Sequence, residues 1–253
     1  MYGAERQQLL AQQARRDGRV DVMAASVEFE VAPETIRRDL GVLERQGVLR
    51  RVYGGAIPVE RLDFEPGVPQ RDQIHAEAKE RIAKAALDLL PTHGTVLLDA
   101  GTTTSRFASL LPTDREYTVV TNSLPAASML APRGNVTVHL LGGRVRATTL
   151  AAVESWALDV LDGLTVDIGF FGANGYSGER GCTTPDAAEA AVKRAMVRAC
   201  RQRVVLADHS KYGDDQFSRF AALSELDALV TDDGLDPQVA ELLGGGDMEL
   251  VLA

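Results

Sequence analysis

Five short segments of this 253-residue chain carry residues suited to holding a small polar ligand: DAGTTT (99–104), TNS (121–123), GGRVR (142–146), GANG (172–175) and DHSK (208–211). Each follows an apolar run, and each is rich in glycine, hydroxyls or amides. In the first, Gly101 permits a tight turn and a close backbone approach, and three threonines follow where a helix is expected to begin. The first N–H groups of a helix have no partner within it and its end is partly positive, so an anion such as phosphate is stabilised there. One threonine would suffice as a cap; three add hydroxyl donors. Lysine is used sparingly, at positions 79, 84, 193 and 211 only. Lys211 closes one of the five segments. Lys193 lies four residues after Glu189, a spacing that by itself describes a surface ion pair on a helix.

The segments fall at the ends of expected strands. From Glu77 onward a helix (EAKERIAKAALDLL) leads into seven apolar runs: TVLLDA, YTVVTNS, NVTVHLLGG, DIGFFGANG, RVVLADHS, LDALVTDD and MELVLA. Helical stretches over 103–111, 124–131, 186–200 and 236–243 lie between several of them. Such alternation predicts an α/β domain with a mostly parallel sheet covered by helices. In an open parallel sheet the loops at the carboxyl ends of the strands line the ligand crevice, so the five segments converge on one pocket.

The N-terminal part has a different pattern. Residues 4–16 place Leu9, Leu10 and Gln13 near one face, Gly18 breaks that helix, and 21–29 carries Val22, Ala25 and Phe29 at helical spacing. After a turn at Val31-Ala32, PETIRRDLGVLERQG opens on Pro33, repeats Ile36, Leu40 and Leu43, and stops at Gly47. VLRRVYGGAI reads as two short strands with Gly54-Gly55 at the end of the second. Two helices joined by a tight turn, the second carrying arginines, form a helix-turn-helix. Thr35, Arg37 and Arg38 lie near the start of that second helix, and both arginines point away from the apolar stripe, towards phosphates or guanine edges. Arg50, Arg51 and Tyr53 would form a wing against the DNA backbone. The alternative is a three-helix module for protein contacts with a solvated arginine face. The domains expected are 1–57, a winged helix-turn-helix, and 74–253, the α/β body, joined by a proline-rich linker over 58–73.

The stretch VAPETIRRDLGVLERQGVLRRVYGGA, Val31 to Ala56, resembles the signature of the DeoR family of bacterial transcriptional regulators over 26 nearly continuous positions. Ala32 stands where the family has a serine or threonine cap. The body resembles the family's sensor domain from about Glu77 to Asp232, through LLDAGTTT, VVTNS, LLGG, VDIGFFGANG, GCTTPDAAEAAVKRAM, LADHSKYG and LVTD. It departs at AAVESWA, where Glu154 replaces the usual glycine, a change that bears on the local backbone and a subunit contact. The resemblance implies a sensor domain similar in fold to ribose 5-phosphate isomerase and responsive to phosphorylated sugars. It implies a phosphate loop of Asp99, Gly101, Thr102, Thr103 and Thr104, with Asn122, Gly143, Asn174, Lys193, Asp208 and Lys211 lining the rest. Similarity to regulators of fructose phosphotransferase operons implies fructose 1-phosphate as effector. The partners implied are double-stranded operator DNA, a phosphosugar and further copies of the chain in a dimer or tetramer.

Charge fits two halves with different partners. Nine arginines against eight acids leave the first 57 residues at +1, so the remainder carries −10 of the net −9. No apolar run approaches the roughly 20 residues of a membrane span, and no signal peptide is expected. Two cysteines are too few for a disulfide framework, which predicts reduced thiols and a cytoplasmic protein. Scattered histidines, with no cysteine at zinc spacing, predict no metal, and no cofactor or catalytic residue is expected. The rival reading is a sugar-phosphate isomerase-like enzyme fused to a DNA-binding head. Against it, no DGxDE-type acidic loop is present.

Overall fold

The computed structural model describes residues 3–46, 48–58 and 67–253. The chain forms two compact units, Met1–Glu65 and Pro66–Ala253.

In the first unit, helices α1 (Gly3–Asp17), α2 (Val22–Glu28) and α3 (Pro33–Arg45) pack with strands β1 (Val20–Asp21), β2 (Leu49–Val52) and β3 (Gly55–Pro58), in the order β1-β3-β2. Leu10, Ala14, Val20, Val22, Ala25, Ile36, Leu40, Leu43, Leu49 and Ala56 form its core. Leu9 is more than one-third exposed, so the buried face of α1 runs through Leu10, Ala11 and Ala14 instead. Asp21 caps α2 by accepting from the Met23 and Ala24 N–H groups. Ala32 offers no side-chain cap to α3, as its residue type requires, and Pro33 begins the helix. An ion pair that the sequence pattern did not suggest ties α1 to α3: the Arg6 Nε lies 2.7 Å from buried Asp39. The glycine pair falls between the two wing strands, not after them. Gly54 occupies the turn at φ +73° and Gly55 opens β3. Gly47, the expected helix stop, lies outside the described residues.

The second unit begins with helices α4 (Val68–Gln73) and α5 (Ala76–Ala85), the latter continued by a 3-10 turn to Leu89. The stretch expected to be an irregular linker therefore ends in a helix, and its residues 59–66 lie outside the described set. The remaining elements are β4 (Gly94–Leu98), α6 (Thr102–Ser109), β5 (Tyr117–Thr121), α7 (Leu124–Leu130), β6 (Val136–Leu140), β7 (Arg144–Arg146), β8 (Ala151–Val153), α8 (Ser155–Asp162), β9 (Val166–Gly172), β10 (Gly175–Ser177), β11 (Gly181–Thr184), α9 (Ala187–Ala199), β12 (Cys200–Leu206), β13 (Ser218–Ala221), β14 (Ala228–Thr231), α10 (Pro237–Gly244) and β15 (Glu249–Leu252).

Seven strands form one sheet in the order β15-β14-β12-β9-β4-β5-β6, and every neighbouring pair is parallel. These are the seven apolar runs of the sequence. They are nearly continuous in hydrophobicity because both faces of the sheet are covered. Val96 and Leu98 pack with α5, α6 and α7 on one face. Leu97 packs with α8, α9 and α10 on the other. The chain starts at β4, runs outward to β6, and returns on the other side of β4 with β9. The order therefore reverses between β4 and β9, which opens a crevice beyond their carboxyl ends. Two smaller antiparallel sheets, β7-β8 and β10-β11-β13, have strands of only three or four residues and escaped the sequence pattern. Both cysteines are free and buried, and burial pushes their thiols up to about 12, far from the reactive thiolate.

Glu154 has φ +80° and ψ −164°, a region that is essentially glycine's. The chain holds a non-glycine side chain in that backbone, with Glu154 accepting from the exposed Arg144 at 2.6 Å. Relief of that strain outweighs an exposed ion pair. Glu154→Gly is therefore expected to raise stability by about 1 kcal/mol in urea denaturation; a lower midpoint would show that the strain is absorbed elsewhere.

Candidate functional site

The crevice is built around two side chains removed from water. Asp99 follows β4 and Lys193 lies in α9; both are buried, and the Lys193 ammonium is bonded to Asp99 Oδ2. Lys193 also donates to the Gly172 carbonyl at 3.0 Å, and the Gly172 N–H donates to Asp99 Oδ2 at 3.0 Å. The pair thus bridges the ends of β4 and β9, where the strand order reverses. Burial pushes the Asp99 carboxyl up, and the adjacent ammonium pulls it back. Its second oxygen, Oδ1, is buried and takes no hydrogen bond from the protein. A buried carboxylate oxygen without a donor is uncommon and marks a place for a ligand's donor group.

Beyond Lys193 the charges continue. Glu189 is 2% exposed, so the sequence's surface ion pair is an interior one, with the Glu189 carboxylate 4.0 Å from the ammonium. Spacing placed the two residues on one helix face but could not say that the sheet and the smaller strands cover that face. Arg146 on β7 is bonded to Glu189 and lies 3.3 Å from Asp186, and Thr149 donates to Glu189 at 3.1 Å. Asp186 in turn caps α9. Arg146 and Thr149 were not singled out from the sequence, although GGRVR contains the first.

The threonine run separates into two roles. Thr104 donates its hydroxyl to the carbonyls of Asp99 at 2.7 Å and Gly101 at 3.0 Å, so it shapes the loop and offers no donor to a ligand. Thr102 and Thr103 are buried at the start of α6, and neither hydroxyl has a protein partner among the described residues. Gly101 lies in the bend between β4 and α6, with an extended backbone of its own, φ 178° and ψ 161°. A β-carbon there would stand 3.0 Å from the Thr104 hydroxyl, so glycine provides room for that hydroxyl. Phe107, stacked on Phe170 with centroids 4.1 Å apart, fixes α6 on the sheet.

Two further expected residues are structural. Asn122 spends its amide within the protein, accepting from the Ala100 N–H at 3.0 Å and donating to the Ala152 carbonyl. Gly143 has φ +127°, and a β-carbon would meet the Val153 carbonyl at 2.3 Å, so it serves the close pairing of β7 with β8. Asn174 begins the connection from β9 to β10, with its N–H donating to Thr183 at 3.0 Å. Asp208, buried after β12, caps the short turn that carries Lys211 by accepting from the Ser210 N–H. Buried Lys79 of α5 interacts with both Asp208 and Lys211 and was not expected at the site. His209, in the same turn, is hydrogen-bonded, with Nδ1 2.7 Å from Asp232. Among the described residues no cluster fit to hold a metal occurs.

In the first unit, Arg37 and Arg38 are exposed on α3, and Arg37 is 3.1 Å from Glu34 one turn earlier. Thr35 is half-buried in the first turn. Arg50 and Arg51 are consecutive in β2, so their side chains leave opposite faces of the strand. Tyr53 is exposed in the turn of the wing.

Residues 6–61 match the DeoR-like helix-turn-helix domain, and residues 74–233 match the DeoR C terminal sensor domain. The chain belongs to the DeoR family. It is a DNA-binding transcriptional regulator of that family, as are its similar relatives. An uncharacterized HTH-type transcriptional regulator FruR of Bacillus subtilis is 34% identical, covering 92% of each chain. The HTH-type transcriptional repressor GlcR of the same organism is 31% identical, covering 100% of this chain and 97% of its own. Among solved structures, ribose 5-phosphate isomerase A of Methanocaldococcus jannaschii is similar over 54% of each chain, with a TM-score of 0.41 and 18% identity. No helix among the described residues is long and apolar enough to cross a membrane.

Removing one partner of a buried ion pair strands the other charge, at a cost of about 3–5 kcal/mol. Lys193→Met is expected to lose stability on that scale in urea denaturation, and Lys193→Met with Asp99→Asn to recover most of it. Equal losses in the single and double variants would show that the two groups are not coupled.

Proposed function

We propose that this DeoR-family regulator represses a sugar-utilisation operon and is released from its operator by a phosphorylated sugar, with fructose 1-phosphate the favoured effector. The observation that carries this reading is the pairing of two unlike features within one crevice. The start of α6, with the Thr102 and Thr103 hydroxyls, suits an anion. The neighbouring Asp99 Oδ1, buried without a donor, suits a hydroxyl and repels a phosphate. A ligand that satisfies both is anionic at one end and hydroxylated along its length. Lys193, tied to Asp99, orients that carboxylate, while Lys211 and Asp208 line the far side. Asn174 lies at the rim.

The first 57 residues bind double-stranded operator DNA, with Thr35, Arg37 and Arg38 in the major groove and Arg51 and Tyr53 against the backbone. The protein acts in the cytoplasm as a homo-oligomer, whose repeated heads match a repeated operator. Repression agrees with the repressor named among its relatives. It turns over no substrate in this reading.

Two measurements test the two halves. Arg37→Ala with Arg38→Ala is expected to weaken binding to the operon's own upstream DNA by about tenfold or more, since each good base contact contributes about 1–3 kcal/mol. Sugar-phosphate binding should be untouched; unchanged DNA affinity would overturn the reading-helix assignment. In calorimetry against phosphosugars and their unphosphorylated parents, the phosphorylated member of one pair is expected to bind tighter by about tenfold or more, as loss of a charge-assisted contact implies. Equal affinities would remove the anion role of residues 101–103, and turnover of any panel member would establish the isomerase reading instead.

A further inference from the structure

Helix α4 has only six residues and buries none of them. A helix that short does not hold its shape alone in water, and here no apolar face anchors it. Polar contacts hold it instead, and each comes from an element that builds the effector site. Lys79 Nζ donates to the carbonyl of Arg71, within α4, and at 2.6 Å to that of Ile74, just beyond its end. A cation at that position suits the negative end of a helix. Lys79 is itself buried, and its electrostatic neighbours include Asp208 and Lys211. Burial pushes its ammonium down to about 8, and Asp208 pulls it back up.

The second fastening is Arg106 of α6, the helix whose first turn forms the anion seat. Its Nη2 donates to the Asp72 carbonyl at 3.0 Å and to the Asp72 carboxylate at 2.9 Å. Its Nη1 lies 3.8 Å from Glu80, while its buried Nε has no partner. A third contact runs from the Val68 N–H to the carbonyl of Thr148, beside the Thr149 that bonds Glu189. Beyond α4, His75 sits at φ +52° with its ring 5.3 Å from that of His209. The first described segment of the sensor unit is thus fastened to α6, to the turn after β12 and to the β7-β8 connection.

We propose that α4 is a strap whose fastening by Lys79 and Arg106 changes when the effector site fills, so that this segment carries the site's state to the chain that precedes it. The inference rests on the effector reading above. A ligand that draws charge at Asp208, Lys211 or the first turn of α6 alters the partners of the two fastening cations, and a six-residue helix with no fully buried residue has little else to resist the change.

The test is hydrogen exchange by mass spectrometry on the full chain, with and without D-fructose 1-phosphate, beside calorimetry on the same samples. If that sugar gives no binding heat, the member of the phosphosugar panel that does is used. In the wild type, exchange across residues 68–74 is expected to change by about fivefold or more on binding, the lower end of ordinary allosteric coupling. In Arg106→Gln, which removes a fastening cation outside the effector-site residues and still binds the sugar phosphate, that change is expected to vanish. Binding heat with unaltered exchange over 68–74, or a variant that responds as the wild type does, overturns the strap while leaving the effector reading intact. A panel in which no phosphosugar binds overturns the effector reading and the strap's ligand coupling together.

Discussion

A lysine ammonium and an aspartate carboxylate, both taken out of water, join the two strands between which the sheet reverses its order. Such a pair does little for net stability, because desolvation offsets much of the attraction. Its contribution here is geometric. Lys193 and the Gly172 amide both hold one oxygen of Asp99, which fixes the carboxylate between β4 and β9 and turns its other oxygen inward. The contacts around it depend on that placement. Thr104 can reach the Asp99 carbonyl only because Gly101 leaves it room, and Asn122 fastens the Ala100 amide from the next strand. Glu189 and Arg146 continue the alternation of charge outward, so no ion in the series lies beside uncompensated charge.

The family assignment and the sheet meet at the same residues. The sensor-domain match spans 74–233, which includes every strand of the large sheet except β15. The helix-turn-helix match covers the three helices and both wing strands. The second unit combines a crevice fixed by buried ions with a short helix that has no fully buried residue.

All seven strands of the main sheet were legible, because each carries an apolar run, most complete in the central strands covered on both faces, that stands out from its polar ends. The reading helix was legible for a similar reason: Ile36, Leu40 and Leu43 mark its buried stripe, and Pro33 marks its start. What the sequence hid was direction. Three threonines look alike in a row, yet the extended backbone at Gly101 turns the third hydroxyl back upon the loop. Arg50 and Arg51 look like one patch, yet the pleat sends them to opposite faces. Asn122 has the chemistry of a ligand residue, and its amide is used up by two backbone groups. Lys79 carries no motif at all; only the fold brings an α5 lysine beside the turn after β12. The short strands β10, β11 and β13 and the β7-β8 pair lacked enough residues to show a period.

Because the sheet is parallel throughout, each strand is followed by a crossover before the next begins, and the site's groups come from far along the chain. Asp99 and Lys193 are separated by 94 positions. Contacts of such long range form late, since a large loop must close before they are rewarded. No short fragment of the sensor unit contains the whole crevice: until β9 has docked on β4 and α9 has crossed the sheet, Asp99 and Lys193 cannot pair. The buried pair therefore assembles in one step, with the completion of the fold.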